Sequence, residues 1–352
     1  MAPTVGRDPR LHQSPLRRGA DSGAKKRRSV RAAAFALAAA ALGACVSPEE
    51  RQAARLEGAP PREPAPSGAR RVGTIIDFHA PEAVRYDPER DVFYVSNIYL
   101  YGSVKDGNGF IVELDAANLG RGRVLAQGGR NGVTLHAPKG MAIAGDTLWV
   151  ADIDVVRGFH RVTGAPLATV DFAAHSPTLL NDLDVGPDGA LRVTDTGIVM
   201  SEKGTVFDTT GDRVFRVGPG HEISALVTAR SFAKPNGIRW DSAGKRWLVV
   251  TFAPFSSGLF AMAEGDVRDT TRTPLATGRG KWDGLAVTPD GRALVSSWSD
   301  STVYLVDRDG ARPLVRRVPQ PAALGFDTRR NRVAIPLVGA GRVEVWTVPG
   351  GE

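Results

Sequence analysis

Residues 282–297 read WDGLAVTPDGRALVSS. A short apolar run, a Pro-Asp-Gly turn and a second run of alternating apolar residues describe a tight antiparallel hairpin, because the turn supplies the backbone conformations such hairpins need. The pattern recurs. Residues 81–96 read PEAVRYDPERDVFYVS, 138–152 PKGMAIAGDTLWVAD, 181–195 NDLDVGPDGALRVTD, 235–251 PNGIRWDSAGKRWLVVT and 321–336 PAALGFDTRRNRVAIP. Equivalent positions at the start of the six units are Glu82, Lys139, Asn181, Asn236, Asp283 and Ala322, spaced by 57, 42, 55, 47 and 39 residues.

Each unit is followed by one or two further apolar strands, for example 110–114, 213–217 and 302–306. No stretch after residue 60 keeps a helical period over three turns. Short antiparallel strands in units of roughly 40–50 residues are the signature of a β-propeller, and six units predict an all-β, six-bladed ring over residues 71–352. The last unit has only three obvious strands, whereas 74–78 (TIIDF) precedes the first unit without a partner. Placing this N-terminal strand on the outside of blade six closes the ring and removes an exposed edge. A closed ring satisfies its own edges, so a monomer is expected.

In a propeller the first strand of each blade lines the central channel, and equivalent positions encircle its mouth. Glu82, Asn181, Asn236 and Asp283 then bring two carboxylates and two amide oxygens to one axis. That donor set suits calcium, which takes 6–8 oxygens, or another divalent cation; zinc would call for His or Cys. Lys139 shares the ring. Its readings are a substrate contact, for an anionic or carbonyl-rich ligand, and a salt bridge to Glu82 or Asp283.

These motifs resemble the gluconolactonase, regucalcin and senescence-marker-protein family of six-bladed propellers, whose relatives include diisopropylfluorophosphatases and paraoxonases. The resemblance rests on the order Glu, Asn, Asn, Asp in blades one, three, four and five, carried by PEAVRYDP, NDLDVGPDG, PNGIRWD and WDGLAVTPDG. It implies a calcium-dependent hydrolase of lactones or related esters. By that resemblance Glu82, Asn181, Asn236 and Asp283 hold the ion, and Asp283 also serves as catalytic base or nucleophile. Lys139 and Ala322, in the blade-two and blade-six positions, depart from the hydrolytic relatives. The rival reading is a non-catalytic propeller that binds an envelope protein or glycan, with calcium locking its blades. His79, His136 and His175 lie near ring positions as candidate bases or as structural groups. Segments 97–109 and 197–211 read as loops over one face, with Tyr99, Tyr101, Lys105, Met200 and Lys203 as candidate contacts. A Gly-x-Ser-x-Gly elbow, His-Glu-x-x-His and a phosphate-binding loop are all missing, which removes serine hydrolases, zincins and nucleotide hydrolases as leading readings.

The chain carries 45 Lys and Arg against 38 Asp and Glu, a net charge of +7. Nine basic and two acidic residues fall within 1–44 and account for all of it, so the globular part is neutral and no nucleic-acid partner is implied. Residues 1–44 read as a secretory signal: a basic stretch, an apolar segment at 32–41 too short to span a bilayer, then small residues. Leu42-Gly43-Ala44-Cys45 resembles the bacterial lipoprotein cleavage motif, which implies lipidation of Cys45, the chain's one cysteine. An ordinary signal with a chance Cys is the alternative. Arg27-Arg28 also loosely resembles a twin-arginine export signal. Val46, where an Asp would favour inner-membrane retention, points to the outer membrane facing the periplasm. Residues 45–70, rich in Pro, Ala, Glu and Arg, read as a disordered tether.

Overall fold

The computed structural model describes residues 67–350 apart from 100–102, 202–205, 210, 228–232, 256 and 264–272. The leader, Cys45 and nearly all of the tether lie outside the described residues. Six four-stranded antiparallel sheets form the blades. Their inner strands are Pro81–Asp87, Pro138–Ala144, Leu180–Val185, Pro235–Asp241, Trp282–Val287 and Gly325–Asp327. The ring closes as expected, with the outer strand of blade six supplied by the N-terminal side of the domain. That strand spans Arg71–Ile75, slightly before the 74–78 segment expected, and pairs with Arg342–Thr347 (Thr74 opposite Glu344, Ile75 opposite Val343). The shift follows from Asp77, whose φ of 70° turns the chain out of the sheet. The segment 197–211 is more than a loop: Ile198–Met200 and Val206–Asp208 pair as a small separate hairpin.

Among the described residues the core consists of six apolar clusters, one at each interface between successive blades, and a small seventh of Ile98, Ala137 and Ile153 between blades one and two. Ile75, Val84, Phe93 and Val343 join blades six and one, and Leu248, Leu259, Leu285 and Val295 join blades four and five. Stability therefore rests on face-to-face burial of alternating strand residues, as the period of two in each repeat requires.

Two local features turn each inner strand toward the channel. The first is a β-bulge at the ring position of blades one to five: pairing with the second strand is interrupted between Pro81 and Ala83, Pro138 and Met141, Leu180 and Leu183, Pro235 and Ile238, and Trp282 and Leu285. A bulge re-aims one side chain out of the ladder. The second is a left-handed residue two positions earlier in four blades: Ala80, Lys234, Lys281 and Gln320, with φ of 48–63°. The carbonyls of these residues accept the N–H of Ile98, Phe252, Trp298 and Val338, each just past the end of its second strand. The opposite face carries the tight turns. There the carboxylates of Asp87 and Asp327 accept turn N–H groups, as do the backbone carbonyls of Gly186 and Thr288 in the Pro-Asp-Gly turns.

Candidate functional site

The bulges carry Glu82, Lys139, Asn181, Asn236 and Asp283, and all five side chains are buried. Space for them comes from small residues immediately after the bulge. A Cβ on Gly284 would lie 2.2 Å from the Ala322 carbonyl oxygen, and one on Gly237 2.7 Å from that of Asp283. Inner strands of neighbouring blades thus approach too closely for side chains at those positions. Hydroxyls on the second strands stitch this inner ring. Thr194 accepts the Asp182 N–H and donates to the Asn236 carbonyl at 2.7 Å. Ser296 does the same between Gly284 and Ala322.

The four residues expected to bind a cation share one property. Glu82 Oε2, Asn181 Oδ1, Asn236 Oδ1 and Asp283 Oδ1 are each buried without a hydrogen-bond partner. Leaving a buried polar atom unpaired costs about 1–3 kcal/mol, so four at one position of four repeats require an explanation. The donor set fits a hard divalent cation: oxygens alone, two of them anionic, with no imidazole or thiolate. Among the described residues no group of three or more His, Cys, Asp or Glu side chains is placed to hold a metal, which agrees with a ring that is half amide.

Electrostatics tie the ring together. Burial, and then the Asp283 carboxylate, push Glu82 well above the usual carboxylate range. Asp283 is raised to about 8 by burial, and then by Asp182. Lys139 is lowered, because burial outweighs the attraction of Glu82 and Asp152. Its Nζ donates to the Ala137 carbonyl at 2.9 Å; the Glu82 carboxylate attracts it, but among the described residues no direct ion pair joins it to Glu82 or Asp283. Ala322, the sixth position, is buried and apolar.

The histidines divide. His136 Nδ1 accepts the Gly107 N–H at 3.0 Å, and His175 packs on Phe172 and Phe215, so both hold the fold. His79 is exposed and stacks on Tyr99 at 4.9 Å. Lys105 pairs with Asp154, which pins the blade-one loop to blade two. Tyr101 and Lys203 lie outside the described residues.

Several supporting residues escape sequence reading. Asp152 and Asp195 end the second strands of blades two and three, and their carboxylates accept the N–H groups of residues 136–137 and 178–179. They fix the turns that lead into Lys139 and Asn181. Asn97 plays the same part for His79 in blade one. The signal was present as an Asp or Asn closing the second strand in VSN, VAD and VTD. Asp182, beside Asn181, accepts from Ile238 N and pairs with Arg239 at 2.5 Å, which holds the bulge of Asn236. Below the ring Arg85 of blade one reaches across to Asp184 of blade three. Asp184 also accepts Trp240 N–H at 3.0 Å. This strut lies between the ring and a separate cavity of about 210 Å³ at the far end of the channel, bordered by Arg85, Asp184 and Trp240.

Solved structures with the same architecture include a luciferin-regenerating enzyme (14% identity, TM-score 0.60, covering 78% of this chain and 93% of that one). A gluconolactonase from Xanthomonas campestris is similar at 17% identity and TM-score 0.60, with 79% of this chain and 90% of that one covered. A calcium-binding regucalcin from Agrobacterium tumefaciens is similar at 18% identity and TM-score 0.57, with 79% and 94% covered. At these identities the likeness is one of fold. No curated protein matches the sequence. The repeats, the order of ring residues and a match of residues 80–330 to the family model described as the SMP-30/Gluconolactonase/LRE-like region all agree, and the chain belongs to that family.

Proposed function

We propose that the protein is a divalent-cation-dependent hydrolase of lactones or related esters, with calcium as the ion. The observation that carries this reading is the set of four orphaned oxygens on Glu82, Asn181, Asn236 and Asp283. Family membership supports it, as do the neighbours described as a gluconolactonase and as a calcium-binding regucalcin. When bound, the cation polarises the substrate carbonyl and offsets charge that develops on its oxygen. Glu82, Asn181 and Asn236 hold it. Asp283 helps to hold it and takes the proton of the attacking water. Lys139 presents a buried ammonium to the same space and orients an anionic or carbonyl-rich substrate. The Arg85–Asp184 strut keeps the floor of the site ionic and fixed, so substrate and water enter from the mouth.

The test is turnover of a panel of lactones by the full-length protein with calcium, in chelator, and after Asp283→Asn. The reading requires hydrolysis that chelator and Asp283→Asn each abolish. Hydrolysis indifferent to both overturns it. Calcium binding with no turnover of any lactone or ester leaves the non-catalytic propeller. We further propose that Cys45 is lipidated and tethers the propeller to a bacterial envelope, at the outer membrane facing the periplasm. Cys45→Ala should release the protein from membranes in cell fractionation, and an unchanged membrane fraction contradicts the anchor.

A further inference from the structure

A second ring lies at the channel mouth, one residue beyond the end of each second strand. Its six members are Ile98, Ile153, Thr196, Phe252, Trp298 and Val338. Their equivalence is set by hydrogen bonding: in five blades the backbone N–H at this position donates to the carbonyl two residues before the ring position (Ile98 to Ala80, Thr196 to Leu179, Phe252 to Lys234, Trp298 to Lys281, Val338 to Gln320). In four blades the member is non-aromatic and buried. In blades four and five it is aromatic and partly exposed.

Phe252 and Trp298 meet edge to face, with ring centroids 5.5 Å apart. The Trp298 indole N–H is buried against the Asp283 carboxyl, whose charged form it favours. Phe255, on the same loop as Phe252, is 90% exposed. That loop is anchored at the mouth, where Lys281 N donates to the Ala253 carbonyl at 2.7 Å. The mouth is therefore asymmetric. Blade two offers the Lys139 ammonium, and blades four and five offer an aromatic wall.

We propose that this wall is a subsite for a planar, apolar ring carried by the carbonyl substrate, so that the protein selects aryl-bearing lactones or esters over polyhydroxylated ones. The inference rests on the ring of Glu82, Asn181, Asn236 and Asp283 binding the substrate carbonyl. A planar ring stacks on the Trp298 face or meets the Phe252 edge. Hydroxyls placed against the same two faces lose water and gain no partner.

Binding tests this apart from catalysis. Calorimetry on the full-length protein with calcium compares two lactams that resist hydrolysis, a dihydroquinolinone (aryl-fused) and gluconolactam (polyhydroxylated). Aromatic stacking and ring burial predict at least about tenfold tighter binding of the aryl-fused ligand. Trp298→Ala should erase that preference, and Trp298→Phe should keep most of it. If Trp298→Ala does not fold, Phe252→Leu, which preserves bulk, should weaken the aryl-fused ligand alone, with an unchanged melting temperature. Equal affinities, tighter gluconolactam, no binding of either lactam, or equal losses for both ligands would overturn the proposal. Turnover is scored separately: selective lactam binding without hydrolysis of any lactone sustains the subsite and rejects the hydrolase.

Discussion

Asp283 sits in a ring where charge is expensive until something positive joins it. Its carboxyl is raised to about 8 by burial and by Asp182, and Glu82 is raised as well. The folded protein, free of cation, therefore binds these protons more tightly than the unfolded chain does. Stability from this source is fully present below the ordinary carboxylate value of 3.8 and declines as pH rises toward about 8. In chelator, melting temperature should fall across that window, and calcium should restore it most at the alkaline end, because binding displaces protons. Asp283→Asn removes the buried charge, so in chelator at pH 8 it should melt no lower than the wild type and gain nothing from calcium. Melts from pH 4 to 8 check both statements. A wild type whose stability in chelator rises steadily over that range contradicts the ring electrostatics described here.

The bulged inner strand is the element that builds the site, and much of it was legible in the repeats. The six equivalent positions, the hairpin turns and the strand that closes blade six all follow from period and turn chemistry. The strand order confirms the hairpins and the closing strand. Other parts were hidden because they depend on contacts between repeats. The Arg85–Asp184 strut joins blades one and three, 99 residues apart. The mouth ring follows its strands at offsets of 14–16 residues from the bulge, so alignment on the inner strands does not bring Phe252 and Trp298 into register. The hairpin at Ile198–Met200 and Val206–Asp208 is too short for its alternation to stand out from a loop. The glycines after the bulges carry a prediction of their own. Gly284→Ala forces a methyl against the Ala322 carbonyl, 2.2 Å away, so backbone must move at the joint between blades five and six. Overpacking of this kind costs about 1–3 kcal/mol. At roughly 2–4 °C per kcal/mol for a domain of this size, the melting temperature should drop by several degrees. Gly310→Ala, in open space, should cost less at the steric level, its residual cost coming from its φ of 105°. Equal losses for the two would remove the close-approach argument.

At the scale of the whole molecule the ring holds together where its first and last blades meet. Arg330 of blade six pairs with Asp91 of blade one, and Ala323 N–H donates to the Glu82 carbonyl at 2.9 Å. The Arg330 hydrogen bonds hold Asp91 down at about 2. This contribution is present above the ordinary 3.8 and is lost as pH falls toward about 2, the opposite sign to Asp283. Asp91→Asn should lower the melting temperature at pH 7 by a few degrees and flatten the acid limb below pH 4. An acid limb identical to wild type contradicts the pairing. Closure also explains how one ring position in each blade can hold polar groups in register, since every blade is braced by two neighbours.

The central claim is that the four orphaned oxygens form one cation site. Its most direct measurement is the melting temperature of the full-length protein after chelation and then with saturating calcium, beside Asp283→Asn and Glu82→Gln. A ligand at 100 times its dissociation constant adds about 2.7 kcal/mol, which corresponds to a rise of several degrees. The account predicts that rise in the wild type and none in either variant. No rise in the wild type, or an equal rise in all three proteins, would contradict it.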